Sequence, residues 1–285
     1  MTTCKVLRLS ACWSIMVLSA AWVSAGAGDN GLPMNGLTLN NTSQHSVGKA
    51  AGRRDPDGQV VATTHTARPS VVSPRQIALA NADLASTAQK RHQLTYLVRC
   101  ALPETVVLYT DQGGERFTFQ GSLGLAPRWL YEAMTPSEER WVSACLFAHV
   151  NYFGKHVRVS MRATDPPVSA LEATEEEKKT FAIFEGGFFG NLFTSAPVAY
   201  TCQGERTRDQ MRDPIFQDRV CTKETGATTA DGKPFTLCRF VVIGRCEDAH
   251  SFTVDDTQYS EVVFTYLRAK NEDAPHVVPE PKSMP

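Results

Sequence analysis

The stretch TPSEERWVSACLFAHVNYFGKHVRVSMR, residues 135–162, decides the fold, because a capped helix is followed at once by a half-buried strand. Thr135 and Glu138 stand at the N-cap and N3 spacing of a capping box. Apolar and small side chains then recur at helical spacing, which predicts a helix over 136–151. The pattern changes to a period of two over 155–162, which predicts a strand with one buried face.

Weaker signals on both sides of this pair predict further elements. A cap-like Ser73-Pro74 predicts a helix that extends toward Arg91, with 94–102 following as helix or strand. Further segments are predicted to be a hairpin (104–110 and 115–120, joined by 111–114), short helices near 127 and 174, and strands over 180–184, 197–202, 235–243 and 261–267. The predicted fold class is α+β, with an antiparallel-rich sheet and two or three packed helices.

The ends of the chain have a different composition from its centre. Lys5 and Arg8 precede an apolar run, 11–23, that is shorter than a bilayer span, and small residues follow at Ala25 and Ala27. These features predict a signal peptide. The predicted organisation is a signal peptide over 1–25, a disordered polar tail with a short five-residue repeat over 26–72, one globular domain over 73–270 and a disordered tail over 271–285.

Charge and cysteine usage narrow the class of protein. The formal net charge of −1 does not favour a nucleic-acid partner. No transmembrane segment is expected after signal removal, and a secreted or periplasmic location follows from the signal. Removal of Cys4 and Cys12 leaves an even set of cysteines, which in an oxidising compartment predicts three disulfides: Cys100, Cys145, Cys202, Cys221, Cys238 and Cys246. Their spacing does not suggest a metal site, and no cofactor is expected.

The disulfide pairing can be narrowed by chain geometry. Cys238 and Cys246 are near in sequence, but the strand-like run between them would hold their backbones too far apart for a bond. Cys100 is expected to pair with Cys145, because their segments should pack together. Of the remaining four, the favoured pairs are Cys221–Cys238 and Cys202–Cys246; the alternative is Cys202–Cys238 with Cys221–Cys246.

The Gly- and Phe-rich segment 185–191, EGGFFGN, is the most distinctive candidate site. We predict a loop here, and we favour a core crossing, in which glycines allow close chain approach, over an aromatic pocket. Other weak candidates for ligand binding are Arg158 and Arg162 on the strand over 155–162, and Asn191. A solvated sheet face is the more ordinary interpretation of the two arginines.

Several of these motifs together resemble a set of exported bacterial proteins of uncharacterised function. The motifs are ERWVSAC (139–145), SMR (160–162), EGGFFGN (185–191) and a short form of the Asn-Gly-Leu-x-Leu repeat near 30–39. The resemblance implies export and disulfide bonds, but it implies no activity and no catalytic residues.

The leading hypothesis is therefore an exported, disulfide-stabilised domain that is a binding or surface-associated protein, with its ligand and partner unknown. The alternative is a secreted hydrolase in which Glu185 acts as acid or base with His149 or His156. The sequence does not decide whether the protein is an enzyme.

Overall fold

The structure is a computed structural model, and it describes part of the chain. It gives the backbone of 27–30 and 32–33, and full detail for 74–79, 81–152, 157–204, 219, 221, 223–246 and 251–268. The predicted signal peptide, most of the predicted N-terminal tail, the tail over 271–285 and His156 lie outside the described residues.

A mixed sheet of eight strands organises the described part of the chain. Its strands are β1 (Ala27–Asn30), β7 (Val157–Arg162), β8 (Ile183–Asn191), β9 (Val198–Gln203), β10 (Glu224–Thr228), β11 (Pro234–Thr236), β12 (Val241–Arg245) and β15 (Val263–Leu267). Their order in the sheet is β1-β7-β15-β8-β9-β12-β11-β10, and all neighbours are antiparallel except the parallel pair β9 and β12.

Among the described residues, three smaller sheets and three helices complete the architecture. The small sheets pair β2 (Leu32–Pro33) with β6 (Val150–Asn151), β13 (Phe252–Val254) with β14 (Thr257–Tyr259), and β3 (Arg75–Ala78), β4 (Val106–Gln112) and β5 (Glu115–Gln120) in that order. The helices are α1 (Ala88–Ala101), α2 (Pro136–His149) and α3 (Glu175–Thr180), with short 3-10 turns at Ala82–Ala85, Pro127–Leu130 and Ser169–Leu171. The predicted α+β class is therefore confirmed.

Helix α2 packs across the centre of the large sheet and fixes the main core. Thr135 and Glu138 form the predicted capping box, and nine consecutive residues from Trp141 to His149 are buried. Phe147 and Phe188 each contact the ring of Phe240, which joins the helix to the sheet. A second core on the opposite face of the sheet is built around the stacked rings of Phe189 and Phe252.

The three disulfides have the pairing that the sequence favoured. Cys100–Cys145 joins α1 to α2, Cys202–Cys246 joins β9 to the end of β12, and Cys221–Cys238 closes the chain around β10 and β11. The alternative pairing is wrong, because Cys202 lies 5.1 Å, Cα to Cα, from Cys246.

Several predicted boundaries differ from the structure. The cap-like Ser73-Pro74 does not begin a helix; Arg75–Ala78 is a strand that pairs in parallel with β4, and the helix begins at Ala88. The segment predicted as one strand over 235–243 contains two, β11 and β12, with a turn at Arg239 where φ is +62°. Within the stretch predicted as a tail, the backbone of 27–30 pairs with β7 and that of 32–33 pairs with β6.

The Gly-rich segment 185–191 is a strand and not a loop. It forms most of β8, and every residue from Glu185 to Asn191 is buried. A Cβ at Gly187 would lie 2.8 Å from Cys202 Sγ and 3.0 Å from the ring of Phe264. The glycines therefore allow neighbouring groups to approach the backbone, which is the core interpretation that the sequence favoured.

Candidate functional site

Glu185 lies in a fully buried ion pair. Arg219 Nε donates to both carboxylate oxygens of Glu185, at 2.8 Å each, and neither side chain is exposed. Thr265 Oγ1 donates to Glu185 Oε2 at 2.7 Å from the adjacent strand β15. The carboxylate is thus held between two strands and an arginine, and these bonds offset the cost of burying its charge.

Arg219 also completes the C-terminal end of α2. Its two terminal nitrogens donate to the carbonyl oxygens of Ala148 and Val150, at 2.7 and 2.6 Å. The last carbonyls of a helix have no partner within the helix, so a buried helix end needs donors of this kind. Glu185 and Arg219 therefore act as a structural link between β8 and α2, and this geometry does not present Glu185 to a substrate.

His149 is buried at the last turn of α2 beside a disulfide. Its ring lies 5.0 Å from the ring of Tyr96, centroid to centroid, and one of its nitrogens lies within 4.8 Å of the sulfurs of Cys100 and Cys145. Those sulfurs are bonded to each other, so they are not the thiolates that bind a metal ion. The group is best explained as core packing around the α1–α2 disulfide.

The three residues predicted as weak ligand contacts do not share a site. Arg158 is exposed on β7. Arg162 donates to Ser160 Oγ and to the Phe181 carbonyl oxygen, and its guanidinium lies 3.8 Å from the ring centroid of Tyr266. Asn191 donates to Glu139 on α2 and accepts from the backbone of Phe193, so it closes a turn.

A surface cleft of about 170 Å³ lies at the N-terminal end of α2. Three segments build it: the first turns of α2, the chain that leaves β7 and the chain that enters β15. We call it the α2–β15 cleft, and its lining residues are Ser137, Trp141, Thr164, Asp165, Ser260, Glu261, Val262 and Phe264. Hydroxyls, carboxylates and aromatic rings thus meet in one concave surface, which makes the cleft a candidate site for a small ligand.

Glu261 is the most firmly held polar group in this cleft. Its carboxylate accepts from Arg140 Nε at 2.8 Å, from an Arg140 terminal nitrogen at 2.9 Å and from Ser137 Oγ at 2.7 Å. Burial acts to raise the pKa of Glu261, but the hydrogen bonds from Arg140 and Ser137 outweigh it, so the pKa lies below the ordinary glutamate value. Glu261 is therefore ionised and oriented at neutral pH.

The cleft was missed by reasoning from the sequence. Trp141 and 261–267 were recognised only as parts of a helix and a strand, because the eight lining residues form no motif and are spread over 137–264. Arg219 was also missed, since nothing near it in the sequence signals a buried partner. Each group becomes visible only when the strands and α2 are placed together.

Comparison of the chain with protein-family models, with curated proteins and with solved structures found no match. Within the described part of the chain, no helix combines the length and apolar character that a membrane span requires. The three disulfides are consistent with an oxidising location outside the cytoplasm.

Proposed function

We propose that the protein is an exported, disulfide-stabilised domain that acts by binding, either free or associated with a surface, and that the α2–β15 cleft holds its ligand. The observation that carries the proposal is the cleft itself. Its polar groups stand on a capped helix and at the end of a central strand, so their positions are set before a ligand arrives.

A secreted or periplasmic location supports this function. The basic and apolar features of residues 1–25 are those of a signal peptide, and three disulfides are typical of exported domains. The resemblance to exported bacterial proteins agrees with this location. Binding outside the cytoplasm is therefore the setting in which we interpret the cleft.

The hydrolase alternative gains no support from the described geometry. A general acid or base must reach the proton that it transfers, within hydrogen-bond distance or through one water. Glu185 is instead enclosed by Arg219 and Thr265, and His149 is buried beside Tyr96. The α2–β15 cleft, by contrast, is a concave surface in which hydroxyl and carboxylate groups face solvent.

The proposal is tested with a variant that fills the cleft. Ser260 is exposed at its rim, so Ser260→Phe should occupy the cleft without disturbing the core. Thr257→Phe places the same ring at an exposed position of the β13–β14 hairpin, whose residues do not line the cleft. Small polar compounds of varied charge are screened by thermal shift on the oxidised, mature protein. We expect compounds that raise the Tm of the wild type and of Thr257→Phe but not of Ser260→Phe.

Two results would contradict the proposal. One is a screen in which every stabilising compound acts equally on Ser260→Phe, because the ligand would then bind elsewhere. The other is conversion of a bound compound to product at a rate that Ser260→Phe abolishes, which would make the cleft catalytic.

A further inference from the structure

The α2–β15 cleft combines apolar faces with hydroxyl groups. Trp141, Val262 and Phe264 supply the apolar part, and Ser137, Thr164 and Ser260 supply hydroxyls. Trp141 and Val262 are more than nine-tenths buried, so the partly exposed Phe264 is the main apolar surface of the cleft. A ligand that matches this lining presents C–H faces and hydroxyl groups on the same small body.

The hydrogen bonds already made in the cleft fix which acceptors remain. Glu261 has about four lone-pair directions and receives three bonds from Arg140 and Ser137, which leaves at most one acceptor position on its oxygens. The Ser137 hydroxyl donates its hydrogen bond to Glu261, so toward a ligand its oxygen can only accept. These are fixed acceptors for ligand hydroxyls, whereas Thr164 and Ser260 can donate or accept.

The charges around the cleft favour an uncharged ligand. The buried carboxylate, Glu261, is already neutralised by the two hydrogen bonds from Arg140. The other carboxylate, Asp165, is exposed, so solvent and salt screen its charge. An anionic ligand would meet Asp165 without a cation among the lining residues. A cationic ligand could pair only with Asp165, and an ion pair at such an exposed carboxylate contributes little affinity.

From this combination we infer that the α2–β15 cleft binds an uncharged sugar residue, either as a free sugar or as one unit of a glycan. The inference rests on the proposed function and adds the chemical class of the ligand. A sugar ring packs its C–H face on Phe264 and the small exposed part of Trp141, while its hydroxyls exchange hydrogen bonds with Glu261 and the serine and threonine hydroxyls. The volume of about 170 Å³ lies below the roughly 300–1,000 Å³ of drug-sized sites, which suits a single unit.

Tryptophan fluorescence gives a direct readout of this site. The chain has four tryptophans, and Trp13 and Trp22 lie in the predicted signal peptide. The mature protein then retains Trp129, which is fully buried, and Trp141, which lines the cleft. Titration of the oxidised, mature protein with neutral monosaccharides, their oligosaccharides and matched amine-bearing sugars should change the emission of Trp141. Saturation-transfer NMR reports the same contacts from the ligand side.

The test uses substitutions of exposed residues that are not expected to unfold the protein. Thr164→Ala combined with Ser260→Ala removes two hydroxyls from the cleft, and we expect affinity for the neutral sugar to fall about tenfold or more, at ~1 kcal/mol per hydrogen bond. The control, Thr253→Ala with Thr257→Ala, removes two exposed hydroxyls from the β13–β14 hairpin and should leave affinity unchanged. Asp165→Asn distinguishes a neutral ligand from a cationic one, because removing this carboxylate should change the affinity for a neutral sugar only a few-fold.

The outcomes distinguish this inference from the function on which it rests. Tighter binding of an oligosaccharide than of its monosaccharide supports a glycan, and equal binding supports a free sugar. The sugar inference is overturned if neutral sugars do not bind but amines do, and if Asp165→Asn lowers the affinity for amines at least tenfold. In that case the proposed binding function stands. If no small polar compound of any charge binds in a manner sensitive to the cleft variants, both are overturned.

Discussion

Arg219 is a fully buried charged residue in the described core. Its guanidinium makes four hydrogen bonds that join β8 to the end of α2, and it lies 5.6 Å from the ring centroid of Phe188. Removal of one member of such a pair leaves an uncompensated charge inside the protein. The attraction between the two charges thus adds little net stability, but removing one of them lowers the free energy of unfolding strongly.

We predict that Arg219→Met lowers the free energy of unfolding by about 3–5 kcal/mol, because it leaves the Glu185 carboxylate buried without its cation. Urea denaturation of the oxidised protein measures the loss. The double variant Arg219→Met with Glu185→Gln should recover part of the stability, since the orphaned charge is gone. Asp111→Asn, in the exposed pair with Arg116, is the control and should cost at most about 1 kcal/mol. A loss as small as that of the control would show that the buried pair is not a structural link.

Glu177 is a second buried carboxyl, and it has a different environment. It lies in α3 with both carboxylate oxygens enclosed and without a hydrogen-bond partner among the described residues. Burial raises the pKa of Glu177 above the ordinary glutamate value, although Ser160 and Arg162 act in the opposite direction. The folded state therefore holds this proton more tightly than the unfolded state does.

The pH dependence of stability follows from that difference. Between the unfolded and folded pKa values of Glu177, the folded state binds more protons than the unfolded state does. The contribution of Glu177 to stability therefore falls as pH rises through this window. We predict that Glu177→Gln stabilises the protein at neutral pH by about 1–3 kcal/mol, and that the gain disappears below the ordinary glutamate pKa. Urea denaturation at several pH values measures both quantities, with Glu176→Gln, an exposed neighbour on α3, as the control. A gain that does not change with pH would contradict this account.

At the scale of elements, β8 decides how closely the central strands pack. Gly187 lies opposite Cys202 of β9 and Phe264 of β15, and the space that a side chain would occupy is filled by the disulfide sulfur and the aromatic ring. This contact links the sheet, the Cys202–Cys246 bond and the Phe264 wall of the α2–β15 cleft.

We predict that Gly187→Val lowers the free energy of unfolding by about 1–3 kcal/mol through overpacking. The melting temperature of the oxidised protein is the measurement, and Gly187→Ala should give a smaller loss. Gly232→Ala is the control for backbone strain, because φ is +84° there and no atom lies within 4 Å of the added Cβ. An unchanged Tm for Gly187→Val would mean that β8 does not pack as described.

Local sequence signals predicted an element well where its hydrogen bonds are made between residues that are near in sequence. The capping box of α2 and the β4–β5 hairpin are of this kind, although the hairpin turn is the two-residue Gly113-Gly114, shorter than expected. Signals failed where distant partners decide the conformation. Glycines made 185–191 resemble a loop, but β9 and β15 pair with it on both sides. In the same way, pairing with β4 makes Arg75–Ala78 a strand despite its helix-like cap.

At the scale of the molecule, three disulfides restrain the chain, and they close loops of different length. Cys100–Cys145 closes a loop of 45 residues around the β4–β5 hairpin and joins both long helices. Cys202–Cys246 spans 44 residues and encloses Cys221–Cys238, which spans 17. Loop entropy in the unfolded state then gives about 4 kcal/mol for each long loop and about 3 kcal/mol for the short one. Since the two C-terminal loops are nested, their contributions are not independent.

We therefore predict that the Cys100–Cys145 bond stabilises the fold most on its own. Replacing both of these cysteines by alanine should lower the free energy of unfolding by about 4 kcal/mol. Replacing both Cys221 and Cys238 by alanine should lower it less, because the Cys202–Cys246 bond still closes the loop that contains them. Urea denaturation of each oxidised double variant gives the ranking, and mass spectrometry of non-reduced peptides verifies the remaining bonds. The same ranking should appear in the yield of folded protein when the chain is expressed in an oxidising compartment, where disulfides form and persist. Equal stability of the wild type with and without dithiothreitol, after confirmed reduction, would show that packing alone holds the domain together and would remove this argument for export.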